Sequence, residues 1–248
     1  MSERIAELAT NLARVRARIA AACQAAGRER SEITLVAVTK LFPASDVIAL
    51  ARLGVTDIGE NRDQEAAAKA AEVAAAGVEV RWHYIGQLQR NKCRSVVQYA
   101  DMVHSVDRLP LVETLAAAAD RYRERPLDVL LQVNLDEEVQ NAASGNEGAN
   151  GASKRGGAPP SAIPELAEAV AAQPSLRLRG VMAVAPLGAD PAVSFQRLAQ
   201  VAQHLTAIYP TATIISAGMS GDLEAAIAHG ATHLRIGSGL LGKRPSAR

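Results

Sequence analysis

The chain has 248 residues, which at roughly 100–200 residues per domain is one large domain or two small ones. Its 27 Lys and Arg against 26 Asp and Glu leave a net charge of +1, which excludes a whole-chain basic footprint for nucleic acid but not a local patch. Hydrophobic residues make up 48% and aromatics only 3%, so Ala, Val, Leu and Ile must build the core.

The first 20 residues, MSERIAELATNLARVRARIA, are charged and amphipathic, and a helix is predicted over 3–26. They lack the apolar stretch and cleavage site of a signal peptide. No apolar run approaches the roughly 18 residues of a membrane span. Cys23 and Cys93 fit no metal, redox or disulfide spacing. A reduced, cytoplasmic protein is the expectation, with no membrane or nucleic-acid partner. Strands are predicted at 33–38 (ITLVAV), 55–59, 81–86, 101–106, 127–134, 176–184, 211–216 and 232–237. Helical periods fill the intervals at 44–53, 61–76, 88–99, 108–124, 161–173, 191–208 and 222–229. Strand then helix, eight times in about 250 residues, is the pattern of a (β/α)8 TIM barrel with an extra N-terminal helix. An open doubly wound sheet is the competing topology, although no G-x-G-x-x-G follows the first strand. A single domain, 1–248, is expected. One stretch breaks the rhythm: 134–160 is rich in Gly, Asn, Ala and Ser, and is read as a long flexible loop. It follows strand five, so in a barrel it hangs over the C-terminal face, as a floppy insertion or as a lid.

Strand one ends in ITLVAVTK, where Lys40 shares the parity of Val36 and Val38. In a barrel that parity points into the mouth, where active sites sit. Apolar walls favour a neutral amine, the form that Schiff-base chemistry requires. An ordinary solvated lysine is the competing reading. After strand seven, SAGMSGDLEAA places Gly218, Ser220 and Gly221 before a helix, and strand eight runs into RIGSGLLG. The loops after strands seven and eight often hold phosphate in barrels. Ser220 and Ser238 add hydroxyls, and Gly237 permits close backbone approach. Turns of this kind also occur for structural reasons alone. Phosphate binding together with an aldehyde-reactive lysine suggests pyridoxal 5′-phosphate (PLP). Arg235, two residues before Gly237, then suits the pyridine nitrogen, which a guanidinium would keep unprotonated. A phosphate or carboxylate contact is its other reading. Glu60, Asn61 and Asp107 suit helix caps, Trp82 suits the core, and His104 suits a strand end. Gln87, Asn91 and Lys92 suit either the mouth or an exposed helix start. Arg14 and Arg18 suit a solvated face.

Six stretches then carry a resemblance: LVAVTK (35–40), IGENRDQE (58–65), WHYIGQLQRNK (82–92), HSVDR (104–108), GVMAVAP (180–186) and SAGMSGDLEAAIAHGATHLRIGSGLLGKR (216–244). In order and across almost the whole chain, they resemble the pyridoxal-phosphate homeostasis proteins, whose barrel is like the N-terminal domain of alanine racemase. The resemblance implies that Lys40 is the Schiff-base lysine and that Arg235 faces the pyridine nitrogen. It also implies that Ser220, Gly237 and Ser238 hold the phosphate and that Asn61 lies beside the cofactor. Three features depart from the family: Gln87 stands where histidine is usual, Ala217 where methionine is common, and the 134–160 loop is longer. Only the role of that usual histidine is put in doubt.

Racemisation needs a base on each face of the cofactor, and Lys40 supplies one. In the racemases that the chain resembles, a tyrosine from a second domain of a partner subunit supplies the other. Only 13 residues follow Arg235, and Tyr84, Tyr99, Tyr122 and Tyr209 lie within or between barrel elements. The expectation is therefore a protein that stores, buffers or hands over PLP without robust catalysis. Apo PLP-dependent enzymes would be its recipients, and it would be a monomer or weak dimer. A PLP-dependent racemase or lyase is the alternative, and a sugar-phosphate barrel enzyme without PLP is a weaker third.

Overall fold

The computed structural model describes residues 3–136 and 156–242. Eight parallel strands close into one barrel in sequence order: β1 (Thr34–Val38), β2 (Asp57–Glu60), β3 (Arg81–Tyr84), β4 (Met102–Val106), β5 (Leu127–Gln132), β6 (Leu176–Met182), β7 (Ile214–Ser216) and β8 (His233–Ile236). Among the described residues the α-helices are α1 (Glu3–Ala25), α2 (Ala44–Arg52), α3 (Asp63–Ala75), α4 (Cys93–Tyr99), α5 (Leu109–Tyr122), α6 (Ile163–Ala171), α7 (Pro191–Ile208), α8 (Leu223–Ala228) and α9 (Ser238–Leu241). The expected barrel is thus the fold, and closure through the β1–β8 pairing excludes the open sheet. Most of the 134–160 loop lies outside the described residues.

Each strand alternates its faces, because successive Cβ atoms point to opposite sides. The register pairs Val36 with Asp57 and Val38 with Gly59. A Cβ on Gly59 would sit 3.0 Å from Val36 and 3.4 Å from Ile85, so these positions meet inside the barrel. The opposite parity, Leu35, Ala37 and Ile58 among others, packs outward against the helices in one continuous apolar cluster. β6 carries a bulge: Val129 pairs with Leu178 but Leu130 with Gly180. Gly180 adopts φ 145°, and a Cβ there would lie 1.9 Å from the Ile214 carbonyl oxygen. Only glycine fits that approach.

The helix after β8 has four residues, too few to cover the β8–β1 seam. α1 does so instead. Leu8, Leu12, Val15, Ile19 and Cys23 recur at helical spacing and are buried against α2, α8 and α9. Burying each large side chain of that stripe contributes about 1.5–3 kcal/mol. Arg4 anchors its start on Asp46 of α2 at 2.6 Å. The extra N-terminal helix is therefore the missing eighth helix supplied from the other end of the chain.

Candidate functional site

Lys40, two residues beyond β1, continues the inward parity of Val36 and Val38 into the C-terminal mouth. It lines a cavity of about 370 Å³ together with Val38, Ser220, Arg235, Gly237 and Ser238. That volume suits a small ligand. Five of the six residues expected at the site thus share one cavity. Asn61 does not line it, but follows β2 at the same end of the barrel.

The backbone around Lys40 is held from both sides. Thr39 Oγ1 donates to Glu60 at 2.6 Å, and Thr39 O accepts from Lys69 Nζ at 2.9 Å. Lys69 Nζ also contacts Glu60 Oε1 at 2.5 Å, with both side chains buried. Burial pushes the Glu60 carboxyl above its usual range, against the bonds from Lys69 and Thr39 that pull it down. On the other side Leu41 N donates to Glu65 Oε1 at 2.5 Å, while Leu41 adopts φ 69°. A non-glycine residue in that region stores about 1–3 kcal/mol and persists where its surroundings over-determine it. Glu60, Glu65 and Lys69 form this support, which sequence reasoning missed. Glu60 and Lys69 are nine residues apart, and no helical i,i+4 spacing marked the pair.

The loops after β7 and β8 meet across the cavity. Ser220 Oγ accepts from Gly239 N at 3.2 Å and lies 3.4 Å from Ser238 Oγ. The backbone N–H groups of Ser220, Gly221, Gly237 and Ser238 have no hydrogen-bond partner among the described residues. Unpaired N–H groups beside two hydroxyls make an anion cradle. Among the described residues that line the cavity none is a carboxylate, whereas Lys40 and Arg235 are basic, so these residues favour an anionic ligand. Gly237 has φ −110°, and a Cβ there would lie 3.5 Å from Val38, an ordinary contact. Protein packing therefore does not demand glycine at this position. Arg18 of α1 steadies the Ser220 loop, donating to Ser220 O at 3.0 Å and pairing with Glu224 at 2.8 Å. The expectation of a merely solvated Arg18 is corrected accordingly.

Arg235 is buried at the end of β8. It donates through Nη1 to Ser216 Oγ at 2.7 Å and through Nη2 to Ala183 O at 2.8 Å. Burial lowers its guanidinium to about 10, which leaves it charged at neutral pH. His104 is not at a strand end but in the middle of β4. It is fully buried inside the barrel, where burial holds its imidazole well below the usual value.

Other residues depart from their expected roles. Helix α3 begins after Arg62 with no side-chain cap, so neither Glu60 nor Asn61 caps it. Asn61 Oδ1 is instead buried without a partner among the described residues. Its backbone packs on Gly86, where a Cβ would fall 2.4 Å from Asn61 O. Asp107 does not cap α5 either; it pairs with Arg108 and accepts from Gly157 N at 3.2 Å. Trp82, by contrast, is in the core as expected, and Gln87 and Asn91 are exposed around a short 3-10 turn that precedes α4, the second of their two expected readings.

A family model described as alanine racemase, N-terminal domain, matches residues 10–245. The pyridoxal phosphate homeostasis protein of Mycobacterium leprae (strain TN) is 42% identical over 255 residues, covering 97% of this chain and 94% of its own. That of Escherichia coli (strain K12) is 39% identical over 243 residues, covering 96% and 97%. Among solved structures, PipY of Synechococcus elongatus PCC7942 with PLP bound superposes with a TM-score of 0.75 at 31% identity, covering 95% of this chain and all of its own. An alanine racemase of Clostridium difficile 630 superposes at 0.69 with 14% identity, covering 97% of this chain and 57% of its own, a likeness of fold.

Proposed function

Because the chain belongs to the pyridoxal phosphate homeostasis proteins, built on the alanine racemase N-terminal barrel, we propose that it binds PLP as a Schiff base on Lys40 and buffers or delivers it without robust catalysis. The observation that carries this reading is the single cavity in which Lys40, Arg235 and the cradle of unpaired N–H groups converge. PLP bound there would supply an aldehyde for the lysine and a phosphate for the cradle. The residues divide the work. Lys40 forms the covalent link, and the supports on Thr39 and Leu41 fix where its backbone stands. Ser220, Ser238 and the N–H groups around them offer donors to phosphate oxygens. Arg235 offers a donor that does not give up its proton, which keeps a ring nitrogen in its acceptor form. That arrangement weakens the ring as an electron sink, in keeping with holding rather than transforming. Asn61, with its unpaired amide oxygen at the mouth, would lie beside the ring. Racemisation needs two bases, and among the described residues that line the cavity the ionisable side chains are Lys40 and Arg235, of which Arg235 does not give up its proton.

Titration of the purified protein with PLP tests the reading. A band near about 420 nm is expected in wild type and absent in Lys40→Ala. Persistence of that band in the variant would overturn the site assignment. Mixing the loaded protein with an apo PLP-dependent enzyme should restore that enzyme's activity. Enzyme-like deuterium exchange at Cα of alanine or serine in D2O would instead show a racemase or lyase.

A further inference from the structure

A hydrogen-bonded chain of five side chains runs through the barrel from the start of β2 to the cavity. Asp57 Oδ1 lies 2.9 Å from His83 Nε2, and His83 Nδ1 lies 2.9 Å from His104 Nε2. His104 Nδ1 lies 3.0 Å from Ser216 Oγ, which receives Arg235 Nη1 at 2.7 Å. All five are buried.

Counting donors and acceptors fixes the direction. Arg235 only donates, so Ser216 Oγ accepts from it. Asp57, ionised, only accepts, so His83 Nε2 carries a proton. If His83 Nδ1 is then a lone pair, His104 Nε2 donates to it, and His104 Nδ1 accepts the Ser216 hydroxyl. Every member is satisfied. In the reverse order His104 donates to Ser216, whose buried hydroxyl proton then has no acceptor among the described residues. A buried unsatisfied donor costs about 1–3 kcal/mol, which favours the first order. Burial opposes a charge on His104, in agreement with one proton per ring. Burial would also raise the Asp57 carboxyl, but the bonds from His83 and Thr56 outweigh it and hold the group below its usual range.

We propose that Asp57, His83, His104 and Ser216 are positioning residues for Arg235, forming a one-direction donor chain that holds its guanidinium charged and aimed at the cavity ligand. Arg235 has no carboxylate within ion-pair distance among the described residues. Each hydroxyl or N–H dipole in the chain turns its negative end toward Arg235 and its positive end toward Asp57. Aligned donors polarise one another in a low-dielectric interior, so the distant carboxylate is felt through the chain. The guanidinium has five N–H bonds and spends two on Ser216 and Ala183, which leaves three for other partners. The assignment of a ring nitrogen as ligand rests on the PLP reading above, whereas the proton order does not.

The test uses 15N-labelled, PLP-free full-length protein and NMR of the histidine rings. In wild type both rings are expected to carry a proton on Nε2, with His104 Nδ1 a lone pair that accepts the Ser216 hydroxyl. Asp57→Asn is expected to shift the His104 ring nitrogens, although Asp57 does not touch that ring. An Nδ1-protonated His104 in wild type, or a response confined to His83 in the variant, overturns the proposal. PLP titration adds a second arm. Ser216→Ala is expected to weaken binding about tenfold, as the loss of one such bond implies, and Ser216→Thr to restore most of it. Equal loss in both variants would show a packing role rather than a positioning one. If wild type binds no PLP, the functional reading fails while the ring measurement still decides the chain.

Discussion

The outward faces of the strands carry Leu35, Ile58, Val103, Val129, Val181 and Ile236, all packed on helices in one cluster. The inward faces carry Asp57, His83, His104, Ser216, His233 and Arg235, with Val36, Val38 and a small apolar group of Met102, Leu130, Met182 and Ile214 among them. TIM-barrel interiors are usually filled by branched aliphatic layers. Here buried polar side chains take much of that space, and most of the aliphatic packing lies in the shell. Shell contacts are non-directional and tolerate change of shape, whereas the interior depends on hydrogen bonds that must all be made. The two regions therefore divide stability from specificity.

That division can be broken most severely from the shell side. Phe195→Ala, at a fully buried position on α7, is expected to cost about 3–5 kcal/mol in denaturant unfolding and to leave PLP affinity unchanged. A matching loss of affinity would show the two regions coupled. The Glu60–Lys69 pair is a polar intrusion between β2 and α3. Lys69→Met strands the Glu60 charge and should cost roughly 3–5 kcal/mol, while the double change with Glu60→Leu should recover much of it. A double variant no better than the single one would contradict the charge account.

The interior responds to pH. Burial lowers His233 to about 4 and holds His104 well below the ordinary value of 6.5. Unfolded histidines take up protons in that window and folded ones do not. Stability is thus full above pH 6.5 and falls as pH drops toward 4, by up to about 1.4 kcal/mol per pH unit for each ring. Urea unfolding between pH 7 and 5 measures this, and His233→Asn should flatten the slope. The smallest effect is expected at the surface. Arg18 and Glu224 are 39% and 52% exposed, so Arg18→Ala should cost less than about 1 kcal/mol. Its sharper readout is PLP affinity, through the Ser220 carbonyl that Arg18 holds.

The barrel was legible because β-branched runs and alanine-rich helices alternate along the chain, with one break at 134–160. The position of Lys40 at the mouth was legible from parity, but its reading as a site residue needed the glycine turns at the two loops where barrels bind phosphate. The support behind Lys40 was not. Glu60 and Lys69 meet only once α3 folds back on β2, and in the sequence Glu60 looks like a helix cap. The interior chain was equally hidden, since its members come from five different strands and no spacing between them is periodic.

Sequence alone determined the element order, the repeated parallel βα pattern, the parity of Lys40 and the placing of Ser220, Gly237 and Ser238 in the loops after strands seven and eight, whereas closure into a barrel came from the β1–β8 pairing. The former follow from local propensity and short-range pattern, which depend on neighbours along the chain. Tertiary structure decided that α1 replaces the eighth helix, that His104 lies in the middle of the barrel, and that Asp57 connects to Arg235. Those outcomes depend on which side chains are left facing one another once the β1–β8 seam closes, and on the cost of any buried polar group left without a partner.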